Sequence, residues 1–313
     1  MFHPVEMLNE WDTHTNRPRQ DLHPSELYGL WSRADGQAPE AELGRVSDEP
    51  ELMVVVTTYG RPHAAAKVLS RLGNALRARG LEGRTALLVL HDACDGDYTA
   101  VRSLAQAAAA RCLWLDARRR LGKPGFWKVH QTALLVARAW RPKRALYLQD
   151  DIDFEPDFLT RSDELWRATE HDPLRRVLHL FASQDDEEDG RWVSFARREL
   201  PGVGCRLTGW FDLSAFMVDR KFFELLDYRM VPIHPNRWKR KPEVSSGVGR
   251  QLTLRLFRRA HVYQAWPPLV RHGSQPSVMN PEARLRRPMD NLLEWVADDE
   301  QRTHPGVSAH QSL

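Results

Sequence analysis

Cysteine is nearly missing from this chain. Its 313 residues include only Cys94, Cys112 and Cys205. They are widely spaced, with no Cys-x-x-Cys pair, which excludes a disulfide framework and a thiolate zinc site and points to a reducing compartment. No apolar run approaches the ~20 residues that cross a bilayer, and residues 1–10 show no basic stretch leading into an apolar one. The expectation is therefore a cytoplasmic protein without a transmembrane anchor. Neither sign of charge dominates: 45 Lys and Arg stand against 42 Asp and Glu, for a net charge of +3. That balance suits a protein handling anionic molecules but does not by itself argue for nucleic acid. There is no internal repeat and no low-complexity tract.

Apolar residues, by contrast, are plentiful at 42%, with 11 Trp and 11 Phe, enough for a real core. Residues 1–50 read as an N-terminal extension, wrapped on the core or partly disordered, with one short helical pattern over Ser25–Arg33; Trp11 and Trp31 favour docking. Regular structure then begins with Leu52–Thr58, a β-branched run suited to a strand buried on both faces. A helix over Pro62–Arg79 follows, stopped by Gly80. The alternation continues as strand Ala86–His91, helix Ala100–Arg111, strand Leu113–Leu115, helix Trp127–Trp140 and strand Ala145–Gln149. Strands alternating with helices predict crossover units, hence an α/β fold with a mainly parallel sheet that binds ligands beyond the carboxyl ends of its strands. Further on, the pattern predicts a helix over Thr160–Glu170, strands at Val177–Phe181, Ser214–Val218 and His261–Gln264, a helix over Gly249–Arg259 and a tail helix over Met289–Ala297.

The strongest chemical signal is Ala145–Phe158, where an apolar strand runs straight into Asp150, Asp151 and Asp153. Carboxylates crowded at a strand end repel one another unless a cation or hydrogen-bond donors compensate. Mg²⁺ or Mn²⁺ prefers oxygen ligands and takes one or two carboxylates plus substrate phosphates. The plainer alternative is a solvated turn whose aspartates, Asp157 above all, cap the next helix.

These residues carry a resemblance. Leu-Gln-Asp-Asp-Ile followed by Pro-Asp-Phe resembles the Asp-X-Asp motif of GT-A nucleotide-sugar glycosyltransferases, in the Glu-Asp-Asp form seen in N-acetylglucosaminyltransferases. The resemblance implies a GT-A, Rossmann-like sheet over residues 51–280, with a nucleotide-sugar half (51–158), an acceptor half (159–280) and a C-terminal helix and tail (281–313). It assigns the metal to Asp151, with or without Asp153, and the ribose or sugar to Asp150. Gln149 stands where such enzymes often have an acid.

Other segments fit the same scheme. Thr57-Thr58-Tyr59-Gly60-Arg61 resembles the first strand and turn of the superfamily, with Thr57 and Tyr59 on the nucleobase and ribose and Arg61 on a phosphate; an ordinary βα turn would look similar. Asp92, after the second strand, takes the place of the aspartate that meets the base. The cationic stretch from Arg118 to Lys128 reads either as a phosphate-binding loop, with Gly122, Lys123 and Lys128 at its centre, or as a solvated basic loop. Leu207–Asp212 resembles the glycine loop of the donor and acceptor pocket, with Gly209 and Trp210 on the sugar. Val270–Ser277 resembles the C-terminal His-Gly-x-x-Ser segment, making His272 a further metal ligand; a lone histidine is otherwise commonly structural.

The implied activity is metal-dependent transfer of a sugar from a nucleotide-diphosphate donor, UDP-linked as the first expectation, with Mn²⁺ or Mg²⁺ as cofactor. For an inverting reaction the candidate bases are Glu243 and Asp212; a retaining reaction needs none. The acceptor is open among a glycan, a protein, a metabolite and a modified base in DNA. The last rests on the basic and aromatic run Asn236–Lys241, which would make the protein a virus-type DNA glycosyltransferase. Two readings from other classes stand beside it. A nucleotidyltransferase would show a Gly-rich loop after the first strand, and Thr57–Pro62 is not one. A catalytically silent module that binds carbohydrate or nucleic acid would explain the missing second acid.

Overall fold

The computed structural model describes residues 27–33, 49–181, 198–200, 202–209, 211–233, 238 and 246–273. In chain order the strands are β1 (Trp31–Arg33), β2 (Leu52–Thr58), β3 (Thr85–His91), β4 (Arg111–Ala117), β5 (Arg144–Gln149), β6 (Ile152–Phe154), β7 (Arg175–His179), β8 (Arg198–Leu200), β9 (Cys205–Thr208), β10 (Ala215–Asp219), β11 (His261–Ala265) and β12 (Val270–His272). The helices are α1 (Pro62–Ala78), α2 (Thr99–Ala108), α3 (Gly122–Trp140), α4 (Phe158–Ala168), α5 (Arg220–Leu225) and α6 (Val248–Leu256).

One ten-stranded sheet runs in the order β1-β4-β3-β2-β5-β10-β7-β11-β9-β8, and β12 pairs with β6 in a separate two-stranded sheet. The block β4-β3-β2-β5 is parallel throughout, as the strand–helix alternation predicts. Beyond it, β10 is inserted antiparallel between β5 and β7. The result is a mixed α/β sheet built around that parallel block. The strands of the parallel block are apolar along their whole length because both faces are covered. Leu52, Val54 and Val56 of β2 join the core layer that includes residues of α1 and α2, whereas Met53 and Val55 join the layer that includes residues of α3.

Two expectations about elements are corrected. Trp31–Arg33 is not helical: it is an edge strand antiparallel to β4, with Trp31 fully buried and its indole N–H on Thr132 Oγ1 at 2.8 Å. The stretch from Gly122 to Lys128 is not a loop but the opening of α3. Pro124 is tolerated there because a first-turn residue has no intrahelical N–H bond to lose, and Gly125 is required because a Cβ would come within 2.7 Å of Leu121 Cβ. Trp11 and the tail helix Met289–Ala297 lie outside the described residues.

Candidate active site

A cavity of about 410 Å³ opens beyond the carboxyl ends of β2, β3 and β5 and is closed by the start of α3. The parallel block leaves this crevice where its strands stop and the chain turns away. Its lining includes Thr57, Tyr59, Arg61, Asp92, Gly122, Lys123, Asp150 and Asp151, so segments more than sixty residues apart in sequence meet in one place.

Asp150 forms the floor and is 7% exposed. Its Oδ2 accepts from Thr58 Oγ1 at 2.8 Å and from the Tyr59 backbone N–H at 2.9 Å. Burial and the neighbouring Asp151 charge push its pKa up to about 7, against the pull of Tyr59, Thr58 and Arg61. The Thr58 and Tyr98 hydroxyls lie 3.2 Å apart, and the Tyr98 hydroxyl accepts the Arg61 backbone N–H at 2.9 Å. A network on β2 therefore fixes the acid; the β-branched sequence did not announce it.

Asp151 is held differently. Arg61 Nη1 lies 2.6 Å from its Oδ2, and His272 Nδ1 lies 3.5 Å from the same oxygen. Its Oδ1 is buried and has no hydrogen-bond partner among the described residues. An unpaired buried carboxylate oxygen is costly, and a cation beside it would remove that cost. The two-stranded sheet brings His272 here, since His272 is in register with Ile152 and the Gly273 N–H donates to the Asp151 carbonyl at 2.6 Å. A Cβ on Gly273 would stand 3.1 Å from that carbonyl oxygen, a tight contact that glycine avoids. Ser214 Oγ, 3.2 Å from His272 Nε2, fixes the other side of the ring.

Asp153 does not join them. It faces α1, where Lys67 Nζ lies 2.8 Å from its Oδ2 and Arg71 also pairs with it. Asp151 lies in the turn before β6, whereas Asp153 lies within the strand, beside α1. Among the described residues no group of three His, Cys, Asp or Glu side chains converges as a ready cation cage. The set available to a divalent ion is thus Asp151 with His272, to be completed by substrate oxygens and water.

Asp92 lines the cavity, but its two carboxylate oxygens accept the backbone N–H groups of Leu121 and Gly122 at 2.6 and 2.7 Å. It ties the start of α3 to the end of β3. Tyr59 carries the Arg120 guanidinium 4.7 Å from its ring centroid, so one face of the ring assigned to base stacking is covered. Lys123 lines the cavity, whereas Lys128 lies further along α3 with its ammonium 5.6 Å from the Trp127 ring centroid. Gly209 follows β9 and is not in the lining. Asp212 is outside it too; its Oδ1 accepts the Ser214 N–H at 2.7 Å, beside the contact of Ser214 with His272. Trp210 and Glu243 lie outside the described residues. Trp238, the aromatic within the basic run, is 8% exposed and packed in the core, which removes it as a stacking platform for nucleic acid. Gln149 lines the cavity and donates to the Leu213 carbonyl at 3.3 Å, joining the site to the segment before β10.

The chain matches no protein-family profile and no curated protein. Among solved structures it is similar to the mannosyltransferase PcManGT of Pyrobaculum calidifontis in complex with GDP-Man and Mn²⁺, with 14% identity, a TM-score of 0.43 and coverage of 85% of this chain and 62% of that one. It is also similar to residues 1–349 of S. aureus TarS, with 12% identity, a TM-score of 0.43 and coverage of 69% of this chain and 60% of that one. A third, a mycobacterial protein, has 16% identity, a TM-score of 0.43 and coverage of 83% and 78%. The chain thus spans less than two thirds of the length of the first two.

Proposed function

We propose that this protein is a glycosyltransferase that takes its sugar from a nucleotide-diphosphate donor bound in the 410 Å³ cavity. The observation carrying the reading is Asp151: a strand-end carboxylate with one buried, unpartnered oxygen, beside His272 and inside a crevice edged by Arg61 and Lys123. Asp151 and His272 would hold a divalent ion, which supplies charge neutralisation on a departing diphosphate. Arg61 and Lys123 add fixed positive charge to the same wall. Asp150, pinned by Thr58 and Tyr59, offers a rigid acceptor for a donor hydroxyl. On the acceptor side, Asp212 is the described candidate for general base, with Glu243 as the other.

The test is release of nucleoside diphosphate from UDP-, GDP-, dTDP- and ADP-sugars, with and without Mn²⁺, by wild type and Asp151→Ala. We expect one donor to be hydrolysed slowly in the presence of Mn²⁺, and the variant to lose about a hundredfold or more in rate while keeping its thermal melting temperature. A folded Asp151→Ala protein with wild-type turnover would sink the assignment. Asp212→Asn, assayed once an acceptor is found, separates the two candidate bases: full activity would leave Glu243 or a retaining reaction.

One observation favours a second reading. Arg61 already sits 2.6 Å from Asp151, and a guanidinium can take the place of a metal as counter-charge. On that reading turnover survives chelation of divalent ions and falls instead with Arg61→Gln, so the metal arm of the same assay decides between them.

A further inference from the structure

A second cavity, of about 430 Å³, opens by the ends of β3 and β4 and the start of α2 and shares no lining residue with the first. On its wall three side chains stand in a row. Asp116 Oδ1 lies 2.8 Å from His91 Nδ1, and His91 Nε2 lies 3.2 Å from Cys94 Sγ. Asp116 is itself fixed by the Trp114 indole N–H at 2.8 Å and by Arg102, whose Nη2 reaches both carboxylate oxygens at 2.9 Å. Nucleophile, base and orienting acid within hydrogen-bond reach of one another are the arrangement that activates a thiol, and the glycosyl-transfer reading uses none of the three.

We propose that Cys94 is an activated thiol, held by His91 and Asp116 to form a mixed disulfide with a low-molecular-weight disulfide entering this second cavity. Cys94 passes its proton to His91 Nε2. The thiolate attacks one sulfur of the incoming disulfide, a new S–S bond forms as the old one breaks, and the departing thiolate takes the proton back from His91. Cys94 is oxidised, the departing half is reduced to a free thiol, and no other reactant is consumed.

The surroundings favour this chemistry. Burial alone would raise the Cys94 pKa, but the Gly96 N–H, His91 and the Gly60 N–H outweigh it and the net direction is down. For His91, burial lowers the pKa, while Asp116 and Cys94 bring the net direction up, so imidazolium and thiolate support one another. The other groups facing the pair are Arg102 from α2, Asp116 from β4, and Asp97 and Tyr98 from the β3–α2 connection. Arg102 compensates Asp116, and Tyr98, pushed up to about 12 chiefly by burial, stays neutral. The two remaining thiols provide an internal contrast: burial pushes Cys112 up to about 12 and Cys205 to about 11. Cys94 is only half-buried.

The experiment treats the full chain with oxidised glutathione under native conditions, locates adducts by peptide mass mapping, and measures the iodoacetamide rate at each cysteine from pH 6 to 9. It needs neither donor sugar nor metal, so its outcome is separate from that of the glycosyltransferase assay. We expect a single glutathionyl adduct on Cys94, none in Cys94→Ser, and an alkylation profile for Cys94 that inflects below the ordinary thiol range. In His91→Gln the inflection should move up and the rate at pH 7 fall, roughly tenfold for each unit by which the thiol pKa rises; Asp116→Asn should fall in the same direction. An unmodified Cys94, an inflection at or above the ordinary thiol range, or a His91→Gln profile superimposed on wild type would overturn the proposal. Should the histidine variant fail to fold, the wild-type profile decides alone.

Discussion

Asp92 shows how one side chain can shape a cavity wall through the backbone it holds. Both of its oxygens accept backbone N–H groups, at 2.6 and 2.7 Å, and these belong to Leu121 and Gly122, where the chain turns into α3. Gly122 has φ of 54°, a left-handed conformation that other residues adopt only at a cost. The carboxylate therefore holds a turn that glycine makes without strain, and through it the position of Lys123 on the cavity wall. In Asp92→Asn only one oxygen remains to accept two donors, and an amide hydrogen would face one of the two N–H groups. A buried donor left without a partner costs about 1–3 kcal/mol. The expected outcome is a lower urea midpoint together with weaker binding of nucleoside diphosphate, both measurable on the purified chain. A variant weakened in stability but unchanged in binding would show that Asp92 braces the fold and not the site.

At the scale of elements, the strands of the parallel block were legible because burial on both faces leaves a continuous apolar signature, as in Leu52–Thr58 and Thr85–His91. What was illegible were elements set by pairing. β6 and β12 are three residues each, too short for any period to register, yet their pairing is what brings His272 to Asp151. The acidic triplet announced a site, but only the packing of β6 beside α1 reveals that Asp153 pairs with Lys67 and Arg71. β1 was hidden for a related reason: its three residues end a short helical pattern, and tertiary contact decided otherwise. That strand yields a firm prediction. Trp31 is completely buried on the face that α3 covers, and its indole bonds Thr132. Trp31→Ala should cost about 3–5 kcal/mol of unfolding free energy, measured by urea denaturation, and should also uncover the edge of β4. A loss below about 1 kcal/mol would mean that the edge strand is only loosely attached.

Across the whole molecule, the face of the large sheet that α3 covers buries two imidazoles, with a consequence for acid stability. His130 of α3 stacks against Tyr147 of β5, and His179 of β7 meets Phe211 edge-on. Burial lowers the pKa of each to about 4, and the Nε2 atom of each is buried without a hydrogen-bond partner among the described residues. In the unfolded chain both titrate near the ordinary value of 6.5. Between about pH 6.5 and pH 4 the unfolded state therefore binds more protons at these two sites. Their contribution to stability is complete above pH 6.5 and is lost as pH falls, at about 1.4 kcal/mol per pH unit for each histidine. Asp150 works in the opposite sense: with a folded pKa of about 7 it favours the folded state as pH falls, so the net acid slope is shallower than two histidines alone would give. Replacing His179 with Phe deletes one proton from the uptake. Urea unfolding at pH 4.5, 5.5 and 6.5 should then show a stability that declines less steeply than in wild type, by about 1.4 kcal/mol per pH unit, and His130→Phe should do the same independently. Slopes indistinguishable from wild type in both variants would mean that these imidazoles are not held neutral in the folded protein, and that the acid limb belongs to the carboxylates.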